Sequence, residues 1–122
     1  MAPDRVERFL KASLKRLQLD YLDLYLCHWP ICVKYESDEE LFPMVNGVFQ
    51  MEPTTDLEAV WKEMEKQVDA GLVKSIGVSN YTPTQLDRIM KIARVPPTNN
   101  QVSIVSLYNR FMAVAALKSA II

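Results

Sequence analysis

The chain has 122 residues, of which 49% are hydrophobic and 24% are charged, and its formal net charge is −1. This composition is typical of a soluble globular domain, and a charge this small argues against nucleic acid or an anionic membrane as a partner. The first residues do not fit a secretory signal, and the longest apolar run near the end, Met112 to Leu117, is far shorter than the ~20 residues that span a bilayer. With only Cys27 and Cys32 available, no disulfide framework can be derived, and we predict a reducing, cytoplasmic compartment.

The first predicted elements are a helix and a strand. Asp4-x-x-Glu7 resembles a capping box, and the apolar residues that follow it to Leu17 keep helical spacing. The segment from Tyr21 to His28 is rich in aromatic and aliphatic residues, as expected of a parallel strand that is covered on both faces.

Two further helix–strand pairs follow. A second capping box, Thr55-x-x-Glu58, predicts a helix that Gly71 ends, and Leu72 to Val78 predicts a strand. A third box, Thr82-x-x-Gln85, predicts another helix, which Val95-Pro96-Pro97 stops, and Asn100 to Val105 predicts a short strand.

The order of these elements is helix, strand, helix, strand, helix, strand. Such alternation predicts an α/β fold with a parallel sheet and right-handed crossovers. An open sheet and a closed barrel share this local pattern, so the periodicity does not distinguish between them. Neither GxGxxG nor a GxxxxGK loop occurs, which excludes the fingerprints of a Rossmann or P-loop nucleotide binder.

The long segment from Trp29 to Pro53 follows the carboxyl end of the first strand. A connection of this length is uncommon unless it is functional or disordered, and α/β proteins place their sites at this end of their strands. The acidic residues from Glu36 to Glu40 within it are predicted to be solvated.

His28, Ser79 and Asn80 are candidate site residues at the ends of predicted strands, and Gln101 is a candidate within the third predicted strand. His28, the only histidine, ends the first strand, where it serves either as a half-buried hydrogen-bonding residue or in proton chemistry. Zinc binding is disfavoured because Cys27 and His28 are adjacent on a strand and point to opposite faces, so we predict no metal. Ser79 and Asn80 fit either a turn or a polar ligand site, and Gln101 carries a further amide.

Three segments together resemble the aldo-keto reductases. Leu19 to Pro30, which reads LDYLDLYLCHWP, resembles that family's fourth-strand signature, and Gly71 to Tyr81, GLVKSIGVSNY, resembles its fifth. Asn99 to Val102, NNQV, is similar to the start of the sixth strand. The segments occur in the family's order and at about its spacing.

The resemblance implies a partial (β/α)₈ TIM barrel of about three βα units, and NADPH-dependent reduction of an aldehyde or ketone substrate to an alcohol. By matched position, His28 would orient the substrate carbonyl and Trp29 would line the substrate pocket. Ser79, Asn80 and Gln101 would bind the nicotinamide carboxamide of NADPH. The segment from Trp29 to Pro53 would be a substrate loop over the barrel mouth.

The resemblance also sets limits. The family's catalytic aspartate, tyrosine and lysine have no matched position here. The catalytic group and the NADPH site are therefore incomplete, and we expect the chain alone to be inactive. After Val102 the match stops, and we predict residues 3–102 as a partial barrel and 103–122 as a divergent tail. The alternative function is a non-catalytic fragment that associates with a full-length reductase through its open strand edges.

Overall fold

A computed structural model of the protein describes residues 2–35, 37, 43–52 and 55–102. Helices and strands alternate along these residues. After a 3₁₀ turn at Pro3–Arg5, the elements are α1 Val6–Leu17, β1 Leu22–Cys27, β2 Met44–Val45, β3 Val48–Phe49, α2 Leu57–Asp69, β4 Val73–Ser79, α3 Pro83–Ile92 and β5 Asn100–Gln101.

Within the described residues, β1, β4 and β5 form one parallel sheet in the order β1-β4-β5. Leu26 pairs with Gly77 and Cys27 with Val78, and Ser79 pairs with Gln101 on the other side of β4. The carboxyl ends of all three strands therefore lie at one edge of the sheet. The predicted parallel α/β order is confirmed, and the predicted continuation of the last strand, residues 103–105, lies outside the described residues.

The helix boundaries depend on capping. Thr82 accepts a hydrogen bond from the Gln85 backbone N–H while the Gln85 side chain accepts one from the Thr82 N–H, so this predicted capping box is confirmed. The other two boxes are wrong. Asp56, not Thr55, caps α2 by accepting from Ala59 N at 3.0 Å, and Asp4 lies inside the 3₁₀ turn instead of capping α1.

The hydrophobic core lies between the sheet and the helices. Its buried members come from α1, α2 and α3, from β1 and β4, and from the turn after β4, and they include Val6, Leu10, Leu14, Cys27, Leu57, Val60, Trp61, Met64, Ile76, Val78, Tyr81, Leu86 and Ile89. The opposite face of the sheet is less covered by the described residues. Leu24 lies on the strand that was predicted to be covered on both faces, but its side chain is 41% exposed. The three described strands of the sheet do not close around that face.

The segment between β1 and α2 contains a small antiparallel hairpin. β2 pairs with β3 around a turn in which Asn46 and Gly47 have φ values of 52° and 78°. Two positive φ values in a two-residue hairpin turn are those of a type I′ turn, which Asn-Gly favours. An isolated bridge between Val33 and Met51 continues the pairing toward the end of β1.

Two side chains of α2 fix the connection between α3 and β5. The buried Glu65 carboxylate accepts hydrogen bonds from Arg94 N and Val95 N at 2.7 and 2.8 Å, and Trp61 Nε1 donates to Val95 O at 3.2 Å. The backbone of this connection is thereby positioned before it enters β5. The start of β5 is set by contacts that lie far from the ends of the strands.

Candidate functional site

His28 and Trp29 directly follow the last residue of β1. Both side chains are exposed among the described residues, and their ring centroids lie 5.8 Å apart with the planes tilted by 56°. The imidazole therefore stands at the carboxyl edge of the sheet beside a large aromatic surface that is 45% exposed. An imidazole can donate a hydrogen bond from this place, and an indole can pack on an apolar group next to it.

Ser79 ends β4 and Asn80 follows it directly, and both residues are buried. Ser79 Oγ donates to the backbone carbonyl of Gln101 at 2.6 Å and accepts from Asn80 Nδ2 at 3.0 Å. The Asn80 N–H donates to the same Gln101 carbonyl at 3.1 Å. These bonds hold the end of β4 against β5 and leave the Gln101 side chain exposed at the edge.

The Asn80 side chain joins the two halves of the predicted site. Its Nδ2 also donates to the backbone carbonyl of His28 at 3.0 Å, across 52 positions of sequence. Asn80 has a φ of 62°, in the left-handed region that asparagine tolerates better than most residues. The turn after β4 thus aims this amide at the end of β1. The structure places His28, Trp29, Ser79, Asn80 and Gln101 at one edge of the sheet, while their roles stay predictions.

A second set of contacts surrounds Tyr81, which is 1% exposed. The Tyr81 hydroxyl donates to Cys27 Sγ at 3.2 Å, and Cys27 Sγ lies 3.6 Å from the carbonyl oxygen of Trp29. The Asn100 carboxamide bonds both backbone groups of Tyr81: Tyr81 N donates to Oδ1 at 3.3 Å, and Nδ2 donates to Tyr81 O at 2.9 Å.

Burial determines the ionisation of this tyrosine and this thiol. It raises the pKa of the Cys27 thiol above its usual value, although the hydrogen bond from Tyr81 opposes the rise. Burial raises the pKa of the Tyr81 hydroxyl strongly, and the nearby Cys27 adds to the effect. Both groups therefore keep their protons at neutral pH. Sequence reasoning did not single out Tyr81 or Asn100, because contacts across 54 and 19 positions leave no periodic signal.

The predicted substrate loop is attached to the start of α1. Tyr35 packs edge-on against Phe9 with ring centroids 6.4 Å apart, and the guanidinium carbon of Arg5 lies 4.6 Å from the Tyr35 ring centroid. Beyond this attachment the hairpin presents apolar side chains to solvent, with Met44, Val45 and Val48 all exposed.

A cavity of about 650 Å³ in the described part of the chain lies elsewhere. It is lined in part by Pro3, Cys32, Asp56 and Arg88, and by none of the five predicted site residues. Among the described residues, no group of three or more His, Cys, Asp or Glu side chains is placed to hold a metal ion. No helix of the described part is both long enough and apolar enough to cross a membrane.

Parallel βα units with polar side chains gathered at the carboxyl ends of the strands define an α/β protein of the kind that binds ligands at that edge. Comparison with known proteins identifies the kind more closely. A family model described as the Aldo/keto reductase family matches residues 1–116. This chain therefore belongs to the aldo/keto reductase family, a family of oxidoreductases.

Individual relatives agree with this assignment. Aldo-keto reductase family 1 member A1 from Xenopus tropicalis is 48% identical over 101 residues, which cover 82% of this chain and 30% of that protein. Glycerol 2-dehydrogenase (NADP(+)) from Hypocrea jecorina is 40% identical over 104 residues, covering 84% of this chain and 33% of that protein. The aldose reductase structure from Schistosoma japonicum superposes with a TM-score of 0.85 at 42% identity, covering 97% of this chain and 38% of that chain.

These matches confirm the predicted fold class, part of a (β/α)₈ barrel. The chain spans about a third of the length of the curated relatives it matches. The family match extends past Val102, and the predicted boundary between the barrel segment and the tail stays a prediction.

Proposed function

We propose that this chain supplies the histidine-bearing and nicotinamide-binding edge of an NADPH-dependent reductase that converts aldehydes or ketones to alcohols. The observation that carries the proposal is the 3.0 Å hydrogen bond from Asn80 Nδ2 to the His28 carbonyl. It joins the end of β1, where a substrate carbonyl would be oriented, to the end of β4, where the nicotinamide would be held. Hydride transfer requires the substrate carbonyl and the nicotinamide ring to be in contact.

The residues present fit a nicotinamide carboxamide. Ser79 Oγ uses its proton and one lone pair within the protein, which leaves a second lone pair to accept from an amide N–H. The Gln101 side chain is exposed on the strand that pairs with Ser79, and its amide can both donate and accept. Bound NADPH would supply the hydride, and these side chains would fix which face of the ring meets the substrate.

His28 and Trp29 would act on the substrate. The imidazole would donate a hydrogen bond to the carbonyl oxygen, polarising it as negative charge develops there. Trp29 would pack on the apolar part of the substrate and exclude water from it. The proton for the oxygen requires an acid, and the family's tyrosine has no matched position in this chain. We therefore propose negligible reductase activity for these 122 residues alone. We also propose the cytoplasm as the compartment, because two cysteines offer no disulfide framework.

The direct test is a titration of the purified chain with NADPH, followed by nucleotide fluorescence, and a second titration with reduced nicotinamide mononucleotide. The mononucleotide carries the ring and its carboxamide without the adenosine half, so saturable binding of both would support the nicotinamide site. Gln101→Leu should weaken both titrations about tenfold, the loss of roughly one good hydrogen bond. Gln18→Gly, at the left-handed C-cap of α1, removes an exposed amide outside the proposed site and should leave both unchanged. Equal binding by the two variants would refute the assignment of Gln101.

A second candidate function is association with a full-length reductase. It is favoured by the exposed Leu24 on the less covered face of the sheet and by the position of β1 at the sheet edge in the described residues. Mixing the chain with a full-length aldo-keto reductase and measuring the mass of the complex by light scattering distinguishes the two. A stoichiometric complex without nicotinamide binding would favour association, and monomers that bind nicotinamide would favour the catalytic edge.

A further inference from the structure

The residues proposed to meet the substrate lie just beyond the paired part of β1. The register of β1 with β4 ends at Cys27 and Val78, so His28 and Trp29 follow the last paired position. Residues that extend past a strand end are free to change direction unless side chains hold them. The precision of this edge therefore depends on hydrogen bonds from outside β1.

Two side chains that follow β4 provide such bonds. Asn80 holds the His28 carbonyl, and the Tyr81 hydroxyl holds Cys27 Sγ, which in turn lies 3.6 Å from the Trp29 carbonyl. In the second chain of bonds the Tyr81 O–H donates to sulfur and the Cys27 S–H donates to oxygen, so both protons must be present. Burial favours the protonated form of each group, as the raised pKa of the Cys27 thiol indicates.

Tyr81 is itself anchored on the opposite side. The Asn100 side chain bonds the Tyr81 N–H and carbonyl, and Asn100 lies in β5 next to Gln101. A bonded sequence of side chains therefore runs from β5 through Tyr81 and Cys27 to the backbone of Trp29. Such buried networks impose one geometry when every member is satisfied.

We propose that Tyr81 is a positioning residue. It acts through Cys27 to hold Trp29 and the adjacent His28 in a fixed position relative to Ser79 and Gln101. The proposal rests on the proposed function for its catalytic meaning, because it assumes that these strand ends meet substrate and nicotinamide. The mechanical coupling itself does not require a bound ligand.

The test is a double-mutant cycle of Tyr81→Phe and Cys27→Ala in the full chain, read by the indole N–H resonances in a ¹H–¹⁵N spectrum. Trp61 serves as the internal reference, because its indole donates to Val95 away from the strand ends. Each single variant should shift the Trp29 indole and backbone amide resonances and leave the Trp61 indole in place. The double variant should shift them no further than either single variant, because one bonded chain is lost in all three.

Tyr25→Phe is the matched control. Tyr25 is also partly buried on β1 and packs against the core, but it takes no part in the bonded chain to Trp29, so its loss should leave the Trp29 resonances unchanged. The unfolding equilibrium constant gives a second readout. The double variant should change it about fivefold less than the two single variants combined, which is the contribution of one hydrogen bond. Additive effects, or Trp29 shifts no larger than those of Tyr25→Phe, would overturn the proposal.

Two further measurements keep the outcome decisive. If Tyr81→Phe does not fold, Cys27→Ser and Cys27→Ala replace it. The serine hydroxyl, like the thiol, both accepts and donates a hydrogen bond, so Cys27→Ser should preserve the Trp29 resonances that Cys27→Ala shifts. Equal shifts in both variants would contradict the proposal. A titration of the same samples with NADPH tests the proposed function separately, since failure to bind leaves the coupling measured without ligand intact.

Discussion

Gly77 permits the close approach to β4 of Asn99, the residue before β5, and of the Leu26 side chain on β1, and replacing it with alanine tests this packing. A Cβ at this position would overlap Asn99 Oδ1, lie 2.8 Å from Leu26 Cδ2 and lie 3.2 Å from the Asn99 carbonyl oxygen. Nonbonded carbon atoms prefer separations of roughly 3.5–4.0 Å, so both side chains must shift by the better part of an ångström. The change therefore acts at the strand pair that carries Ser79 and Gln101.

The expected cost follows from two opposing effects. Overpacking of this kind destabilises by about 1–3 kcal/mol, and the lower entropy of alanine in the unfolded chain returns about 0.5–1 kcal/mol. We expect Gly77→Ala to lower the free energy of unfolding by about 1–2 kcal/mol, measured by urea denaturation with far-ultraviolet circular dichroism.

Asn99 provides the check on this reasoning. Its Oδ1 is buried and has no hydrogen-bond partner in the described part of the chain, so Asn99→Ala alone should cost little. In that background the main obstacle to the new Cβ is gone, and Gly77→Ala should cost about 1 kcal/mol less than it does in the wild-type chain.

Gly71→Ala is the control for the glycine substitution itself. It has a φ of 72° and open space around its would-be Cβ, so its cost is backbone strain of about 1–2 kcal/mol. Removing Asn99 should not relieve that strain. If the cost of Gly77→Ala is the same with and without the Asn99 side chain, the steric explanation is wrong.

Three further predictions concern the parts that hold the edge in place. Glu65→Leu leaves two partly buried backbone N–H groups without their acceptor and should destabilise by about 2 kcal/mol in thermal denaturation, whereas Glu65→Gln keeps an acceptor oxygen and should cost less. Asp56→Ala removes the cap of α2 and should cost about 1 kcal/mol in the same assay, while Thr55→Ala should cost little; the reverse order would restore Thr55 as the cap. Burial raises the pKa of Tyr25 to about 12, so its neutral form stabilises the fold fully below pH ~10, and this contribution of roughly 2–3 kcal/mol is lost as the pH rises from ~10 through ~12. Tyr25→Phe should flatten that part of the stability–pH curve, and an unchanged curve would argue against burial as the cause.

The sequence predicted those parts of the fold that depend on neighbouring residues. The capping box of α3 forms as expected because Thr82, Pro83 and Gln85 act within one helical turn. The start of α2 was misplaced by one residue, because Thr55 and Asp56 are adjacent and both residue types favour the N-cap position. The capping-box pattern favoured Thr55, and it does not test whether the neighbouring aspartate accepts the bond instead.

The candidate site divides in the same way. The ends of β1 and β4 could be located from the sequence, and the structure places His28 and Ser79 there. Gln101 was predicted inside a longer strand, and among the described residues it is the last residue of β5. The assignment of roles came only from the resemblance to a family. The bonds that fix the edge, from Tyr81 to Cys27 and from Asn80 to His28, join residues more than fifty positions apart. Only the register of β1 against β4 makes them neighbours, so no reading of either segment by itself could find them.

These hydrogen bonds between the strand ends change how variants at the proposed nicotinamide site should be interpreted. Asn80 contributes a left-handed backbone, a bond to Ser79 and a bond to the His28 carbonyl, so a loss of NADPH binding in Asn80→Ala would not by itself identify a cofactor contact. Asn80→Gly keeps the backbone conformation and removes only the amide, and the difference between the two variants isolates the backbone strain. A loss that persists in Asn80→Gly then belongs to the amide, and a shift of the His28 resonances without nucleotide would assign it to the end of β1. His28 and Asn80, proposed here for the substrate and for the cofactor, are joined by one hydrogen bond, so their effects are separable only when His28 and the nucleotide are observed independently.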